Sequence, residues 1–146
     1  MNRILTCMLT AVMVAGWSAL AVTASAQDDF KVIAHPGTGV ASLTRDEVSR
    51  LFMKKTKKWP NGQAVQPVDL DSDSATRASF TTAVHRRSVS AIEAYWQKQI
   101  FSGRSLPPVV HKTDADVIAF VKSTPGAIGY VSASAATGGV SVVSIK

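Results

Sequence analysis

Short apolar runs alternate along the chain with longer segments in which apolar residues recur every three to four positions. The short runs are rich in Val, Ile, Phe and Tyr, and they predict β-strands. They are FKVIAH (30–35), AVQPVDL (64–70), AIGYV (127–131) and VSVVSI (140–145). Strands that alternate with helical segments predict an α/β domain, with a small mixed sheet covered by about four helices.

Two of the predicted helices begin with a capping box. Thr44 is followed three positions later by Glu47, and Ser90 is followed in the same way by Glu93. In a capping box each side chain accepts a hydrogen bond from the other residue's backbone N–H, which would otherwise be unpaired at a helix start. We therefore expect helices to begin at Thr44 and at Ser90.

The other two helices are predicted from single capping residues and helical periodicity. One runs from Ser74 to about His85, and the other covers DADVIAFVKS after a cap formed by Thr113 with Asp116. The residues expected to face the core on the four helices are Val48, Leu51 and Phe52; Ala78, Phe80 and Val84; Ile92, Tyr95, Trp96 and Ile100; and Val117, Ile118 and Val121.

The start of the chain has the pattern of a secretory signal peptide. Arg3 precedes an apolar run from Ile4 to Val22, and Ala24-Ser25-Ala26 then predicts cleavage before Gln27. The run is also long enough for a membrane anchor, but the cleavage pattern follows it directly, so no stable membrane insertion is expected after processing. We expect a signal peptide at residues 1–26 and one exported domain at residues 27–146.

Composition narrows the chemistry of the exported domain. The only cysteine, Cys7, lies in the predicted signal, so the domain has no disulfide, thiol nucleophile or cysteine-based zinc site. The net charge of +6 falls to +5 when Arg3 is removed. A basic exported protein attracts small anions and acidic surfaces, whereas nucleic acid is not an expected partner and no cofactor is expected.

Three aspartates at alternate positions, Asp69, Asp71 and Asp73, raise the question of a calcium site. An EF-hand loop also needs glycine at its sixth position and glutamate at its twelfth. Those positions hold Ser74 and Phe80, so the chain has no EF-hand there. No metal site is expected.

The same aspartates have a simpler explanation at the end of a strand. If Val68 and Leu70 point to the core, the alternation of a strand places Asp69 and Asp71 towards solvent. They would then be strand-end and turn residues.

The stretch SDSATR that follows can form an anion cradle. Ser74 caps the helix, and Ala75, Thr76 and Arg77 form its first turn. A helix start has free backbone donors and a partial positive charge, so it can hold a phosphate, sulfate or carboxylate. Ser72, Ser74, Ala75, Thr76 and Arg77 are the candidate binding residues; the alternative is that Ser74 is an ordinary helix cap.

Signals of catalysis are absent from the sequence. His35, His85 and His111 lack metal-ligand spacing, HPGTG is not a P-loop, and no Gly-x-Ser-x-Gly motif occurs. No catalytic residues are assigned, and we expect a protein that is not an enzyme. The lysines of KKTKKW (54–59) are expected to lie in a solvated loop.

Several segments, in order, resemble the periplasmic phosphate-binding proteins of ABC transporters, which have the type 2 periplasmic-binding fold. LTRDEVSRLFMKKTKKWPNG (43–62) resembles a helix and lysine-rich loop of that family. VQPVDLDSDSATRASF (65–80) resembles the strand and Ser-Gly-Thr helix start that contact phosphate, and STPGAIGYVSASAA (123–136) resembles a segment close to TPGAIGYVEYAYA. The resemblance implies a periplasmic binding protein that takes phosphate at Ser74-Ala75-Thr76.

The chain also departs from that family. Its length leaves room for a single lobe of the fold, whereas family members close two lobes on their ligand. Ala75 replaces the glycine of the motif, and Leu70 stands where the family has a phosphate-clamping arginine, for which Arg77 is the candidate substitute. We therefore expect weak anion binding unless a homodimer or a protein partner completes the cleft. The alternative is a periplasmic scaffold or interaction protein that kept the fold and lost the ligand.

Overall fold

A computed structural model describes residues 28–146, which form a six-stranded mixed sheet with four α-helices. The predicted signal peptide, residues 1–26, lies outside the described residues. None of the helices between residues 28 and 146 has the length and apolarity that a membrane crossing requires. The predicted α/β fold class is confirmed.

The strands pair in the order β2-β6-β1-β5-β3-β4. β1 runs antiparallel to β5 and β6, β2 runs parallel to β6, and β3 runs parallel to both β4 and β5. The strands are β1 Phe30–Ala34, β2 Ser42–Leu43, β3 Gln66–Leu70, β4 Val109–His111, β5 Ala127–Ser132 and β6 Ser141–Ile145. The four predicted strands are present, and the structure adds the short strands β2 and β4.

The helices are α1 Arg45–Phe52, α2 Ala75–Phe80, α3 Val89–Phe101 and α4 Asp114–Ser123, and α2 continues as a π-helical turn over Thr81–His85. The capping box of α1 is confirmed: the Thr44 N–H donates to Glu47 at 2.7 Å, and the Glu47 N–H donates to Thr44 Oγ1 at 3.2 Å. Thr113 caps α4 as predicted, because its hydroxyl accepts a hydrogen bond from the Asp116 N–H at 3.1 Å.

The predicted capping box at Ser90 and Glu93 is wrong. Helix α3 begins two residues earlier, and Ser88 is its cap, with its hydroxyl oxygen accepting from the Ala91 N–H at 3.2 Å. Ser88 and Ser90 both have the residue type of a cap, and the glutamate spacing favoured the second.

Neighbouring residues of β5 show that helices cover both faces of the sheet. Gly129 faces α4, so closely that a Cβ there would lie 2.8 Å from Val117 Cγ1. Tyr130 points the opposite way, and its ring stacks on Phe80 at 3.7 Å, beside Phe52. Both faces therefore bury side chains, and the alternation of a strand does not divide core from solvent here.

The lysine-rich loop after α1 is anchored by its tryptophan. Lys55, Lys57 and Lys58 are exposed as expected, whereas Trp59 is buried and its indole N–H donates to the Gly126 carbonyl at 2.8 Å. Gly126 has a φ of +79°, and a Cβ there would lie 2.1 Å from the Ala64 oxygen. This close approach requires glycine.

Candidate functional site

The predicted anion cradle lies in the turn between β3 and α2. β3 runs parallel to both of its neighbours, so this turn lies at the carboxyl edge of the sheet, where open α/β folds bind ligands. Asp71 holds the turn: its carboxylate accepts from the Asp73 N–H at 3.2 Å, and its carbonyl accepts from the Ser74 N–H at 3.0 Å. Asp71 and Asp73 therefore serve as turn residues, as predicted.

Ser74 is the N-cap of α2. Its hydroxyl oxygen accepts from the Arg77 N–H at 3.3 Å. The N–H groups of Ala75 and Thr76 begin the helix and have no intrahelical acceptor. The turn thus presents two free backbone donors, next to the hydroxyl group of Thr76 and that of Ser72, which donates a long hydrogen bond of 3.5 Å to the Asp71 carboxylate.

Arg77 is buried beneath this turn. Its Nη1 donates to the Leu70 carbonyl at 2.5 Å and lies 2.9 Å from the Asp69 carboxylate. Only 6% of the side chain is exposed, and its Nε is buried without a hydrogen-bond partner among the described residues. The guanidinium therefore joins the end of β3 to the first turn of α2.

Asp69 is the partner that neutralises Arg77, and the prediction that it points to solvent is wrong. It is buried on the sheet face that α2 covers, and its carboxylate accepts hydrogen bonds from the Tyr130 hydroxyl and from the Leu70 N–H, the latter at 3.0 Å. Burial raises the pKa of the Asp69 carboxyl, while Arg77 and these two donors oppose the rise. Burial and the neighbouring carboxylate raise the pKa of the Tyr130 hydroxyl.

A cleft of about 450 Å³ opens beside the turn, between α3 and the segment that leads into β4. It is lined by Asp69, Asp71, Ser72, Arg77, Glu93, Trp96, Gln97, Ile100, Pro107, Pro108 and Val110. The cleft therefore combines carboxylates with a largely apolar wall.

The five predicted residues adjoin one another in the structure, but only two of them line the cleft. Ser72 and Arg77 reach it, while Ser74, Ala75 and Thr76 form the adjacent helix start. The burial of Arg77 had a signal in the sequence, because Arg77, Phe80 and Val84 follow one helix face at spacings of three and four. The pairing with Asp69 and Tyr130 had none, because it joins residues up to 61 positions apart.

Metal-binding side chains do not converge in the described part of the chain. Between residues 28 and 146, no three His, Cys, Asp or Glu side chains are grouped so that they could hold an ion.

Proteins of known structure share the fold of this chain. The chain aligns over 82% of its length with PstS from Borrelia burgdorferi (TM-score 0.63, 15% identity) and over 81% with an ABC-type phosphate transport receptor from Vibrio cholerae (TM-score 0.64, 17% identity). It spans less than half of each, 47% and 46% of their lengths. A search of curated proteins found no significant match.

The profile of the PBP superfamily domain matches residues 19–144, which is most of the chain. The resemblance to phosphate-transporter binding proteins seen in the sequence is thus confirmed for the fold, as a short single lobe. This chain belongs to the PBP superfamily.

Proposed function

We propose that the protein is an exported, non-enzymatic binding module that holds a small anion such as phosphate at the start of α2. Two solved structures with this fold are described as a phosphate transport receptor and as PstS. The observation that carries the proposal is the turn at the carboxyl end of β3, where the N–H groups of Ala75 and Thr76 have no intrahelical acceptor.

Each candidate residue has a distinct role in this proposal. Ala75 and Thr76 donate backbone hydrogen bonds to the anion, and the Thr76 hydroxyl adds a side-chain donor. The Ser72 hydroxyl adds another by rotating away from the Asp71 carboxylate. Ser74 shapes the helix start, since its hydroxyl oxygen is already engaged by the Arg77 N–H. Arg77 fixes the turn beneath the anion, and its charge is balanced by Asp69.

The charges around the turn make the affinity of the monomer low. The carboxylates of Asp71 and Asp73 compete for the donors and repel an anion. The site is also open on one side, so water and salt screen the attraction. We expect a Kd in the millimolar range, which corresponds to about −4 kcal/mol. A homodimer or a protein partner that covers the cleft would tighten binding.

Thermal unfolding in phosphate, compared with chloride at the same ionic strength, tests this function. Phosphate at ten times its Kd should stabilise the fold by about 1.4 kcal/mol, which raises Tm by roughly 4 °C. The double variant Ser72→Ala with Thr76→Val should reduce that rise in Tm by at least half. The control pair Ser79→Ala and Thr82→Val removes the same groups farther along the helical segment and should retain it.

The cleft supports a second candidate function, a periplasmic scaffold that contacts another protein. Its apolar wall includes Ile100 and Val110, which are 46% and 51% exposed, so the prediction that Ile100 faces the core is wrong. Glu93 and Asp71 add negative charge. Such a surface fits a protein partner better than a free anion. If wild-type protein shows no phosphate-specific stabilisation, this second function is favoured.

Export is the remaining part of the proposal. Cleavage before Gln27 would release residues 27–146 into the periplasm. Sequencing the N-terminus of protein recovered from a periplasmic fraction should begin at Gln27, whereas an intact Met1 would contradict export with cleavage.

A further inference from the structure

A second pocket, at the opposite end of the helical segment 75–85, is lined by hydrogen-bond donors. Its polar lining consists of Ser49, Lys55, His85, Arg87 and Tyr95, which we call the basic pocket. Its volume is about 260 Å³, enough for a phosphate or sulfate group with a small substituent. The whole helical segment 75–85 lies between this pocket and the turn that begins α2, so the two sites are separate.

No carboxylate lines the basic pocket within the described residues. Asp46, Glu47 and Glu93 lie on the helices that border it, but none of them lines it. Its two fixed charges, Lys55 and Arg87, are both positive. This distinguishes it from the cleft beside α2, where three carboxylates accompany one neutralised arginine.

The backbone takes unusual conformations beside both cations. Lys54 (φ +53°) and Arg86 (φ +55°) are the only non-glycine residues with positive φ in the described part of the chain. A left-handed conformation is strained for a non-glycine residue, because its Cβ approaches the neighbouring carbonyl oxygen. Lys54 immediately precedes Lys55, and Arg86 immediately precedes Arg87, so each strained residue turns the chain where a basic side chain enters the pocket.

His85 shows the electrostatic character of the pocket. Burial, followed by the positive charges of Arg77 and Arg87, lowers the pKa of the His85 imidazole to about 4. The imidazole is therefore neutral at pH 7, and its Nδ1 lies 2.9 Å from Ser49 Oγ. Every charged side chain that perturbs His85 is cationic.

The ends of two helices border the pocket, and their free carbonyl groups would repel an anion. These carbonyls are largely paired. The Ser49 and Arg50 carbonyls each accept a backbone N–H at 2.9 Å, and the Thr82 carbonyl accepts the Arg86 N–H at 3.1 Å. The cations thus remain the dominant charges at the pocket.

We propose that the basic pocket is a second ligand site, which takes a phosphate or sulfate group between Lys55 and Arg87. Tyr95 supplies a hydroxyl donor to its oxygens, and Ser49 adds a second when His85 donates its Nδ1–H to Ser49 Oγ. Met53 and Ile92 form an apolar wall of the pocket, which accommodates an organic group attached to the anion. The group can therefore arrive as a free ion or as part of a small phosphomonoester.

Isothermal titration calorimetry with inorganic phosphate and phenyl phosphate tests this site in the purified exported protein. Replacing Lys55→Gln together with Arg87→Gln should weaken binding of phenyl phosphate at least tenfold. Both side chains are exposed, so the fold should be retained. The matched control, Arg104→Gln with Lys112→Gln, removes two other exposed charges and should change Kd less than twofold.

The two probes and the two sites give separable outcomes. Tighter binding of phenyl phosphate than of phosphate supports a phosphomonoester, and equal binding supports the ion alone. The proposed site is wrong if the control variant loses as much affinity as the Lys55 and Arg87 variant, or if the latter loses none. The Ser72 and Thr76 variant reports on the start of α2 instead, so failure of one site leaves the other measurable.

Discussion

Arg77→Met should destabilise the protein strongly, because it leaves Asp69 buried without its counter-charge. Arg77 and Asp69 lie 2.9 Å apart, and 6% of the Arg77 side chain and 10% of the Asp69 side chain are exposed. Breaking a buried ion pair by removing one partner costs about 3–5 kcal/mol. Met retains most of the volume of the arginine stem, so a large cavity does not contribute.

A double-mutant cycle separates the contribution of charge to this loss of stability from the contribution of packing. Asp69→Asn in the Arg77→Met background removes both charges, and the double variant should be at least about 2 kcal/mol more stable than the sum of the single changes predicts. The assay is urea unfolding, followed by tryptophan fluorescence and circular dichroism. Arg104→Met, at an exposed arginine, is the control and should change stability by less than about 0.5 kcal/mol.

One result would refute this reasoning about Arg77. If Arg77→Met costs less than about 1 kcal/mol and abolishes phosphate stabilisation, the guanidinium serves the ligand directly. The structure predicts the opposite result: Arg77→Met should cause a large loss of stability, and some anion binding should remain at the backbone donors of Ala75 and Thr76.

Two further predictions concern pH and backbone packing. The pKa of His85 is about 4 in the folded protein and about 6.5 in the unfolded chain, so the unfolded chain takes up the proton first on acidification. Stability should fall by up to about 3 kcal/mol between pH 6.5 and 4, and urea titrations of His85→Gln should show a shallower fall. Gly126→Ala should cost about 3 kcal/mol, from the left-handed φ and the clash with the Ala64 oxygen. Gly138→Ala, which meets no atom within 4 Å, should cost much less in the same unfolding assay, and equal costs would contradict the packing account.

Local signals made most of the fold predictable. The capping pairs at Thr44 and Thr113 and the four apolar runs correspond to elements in the structure because the signal and the element involve the same few residues. The strand β4 was missed because its three residues, Val109–His111, are stabilised by pairing with the distant β3. Ser88 and Ser90 are both suitable caps for α3, and the sequence does not show which of them begins the helix.

The site was only partly predictable. The turn residues Asp71 and Ser74 act locally, so their roles followed from spacing. The burial of Asp69 depends on α2 covering that face of the sheet, and its bond with Tyr130 depends on β5 lying beside β3. The basic pocket unites three helices and was not visible in any single stretch of sequence.

A phosphate titration followed in amide ¹⁵N–¹H NMR spectra tests the central claim most directly. The account predicts that the Ala75 and Thr76 amide signals shift and saturate with a Kd in the millimolar range, close to −4 kcal/mol or weaker. A matched sodium chloride titration should leave these two signals nearly unchanged. If both signals remain in place up to about 100 mM phosphate, roughly a hundredfold above a millimolar Kd, the start of α2 does not bind the anion and the proposed function is wrong.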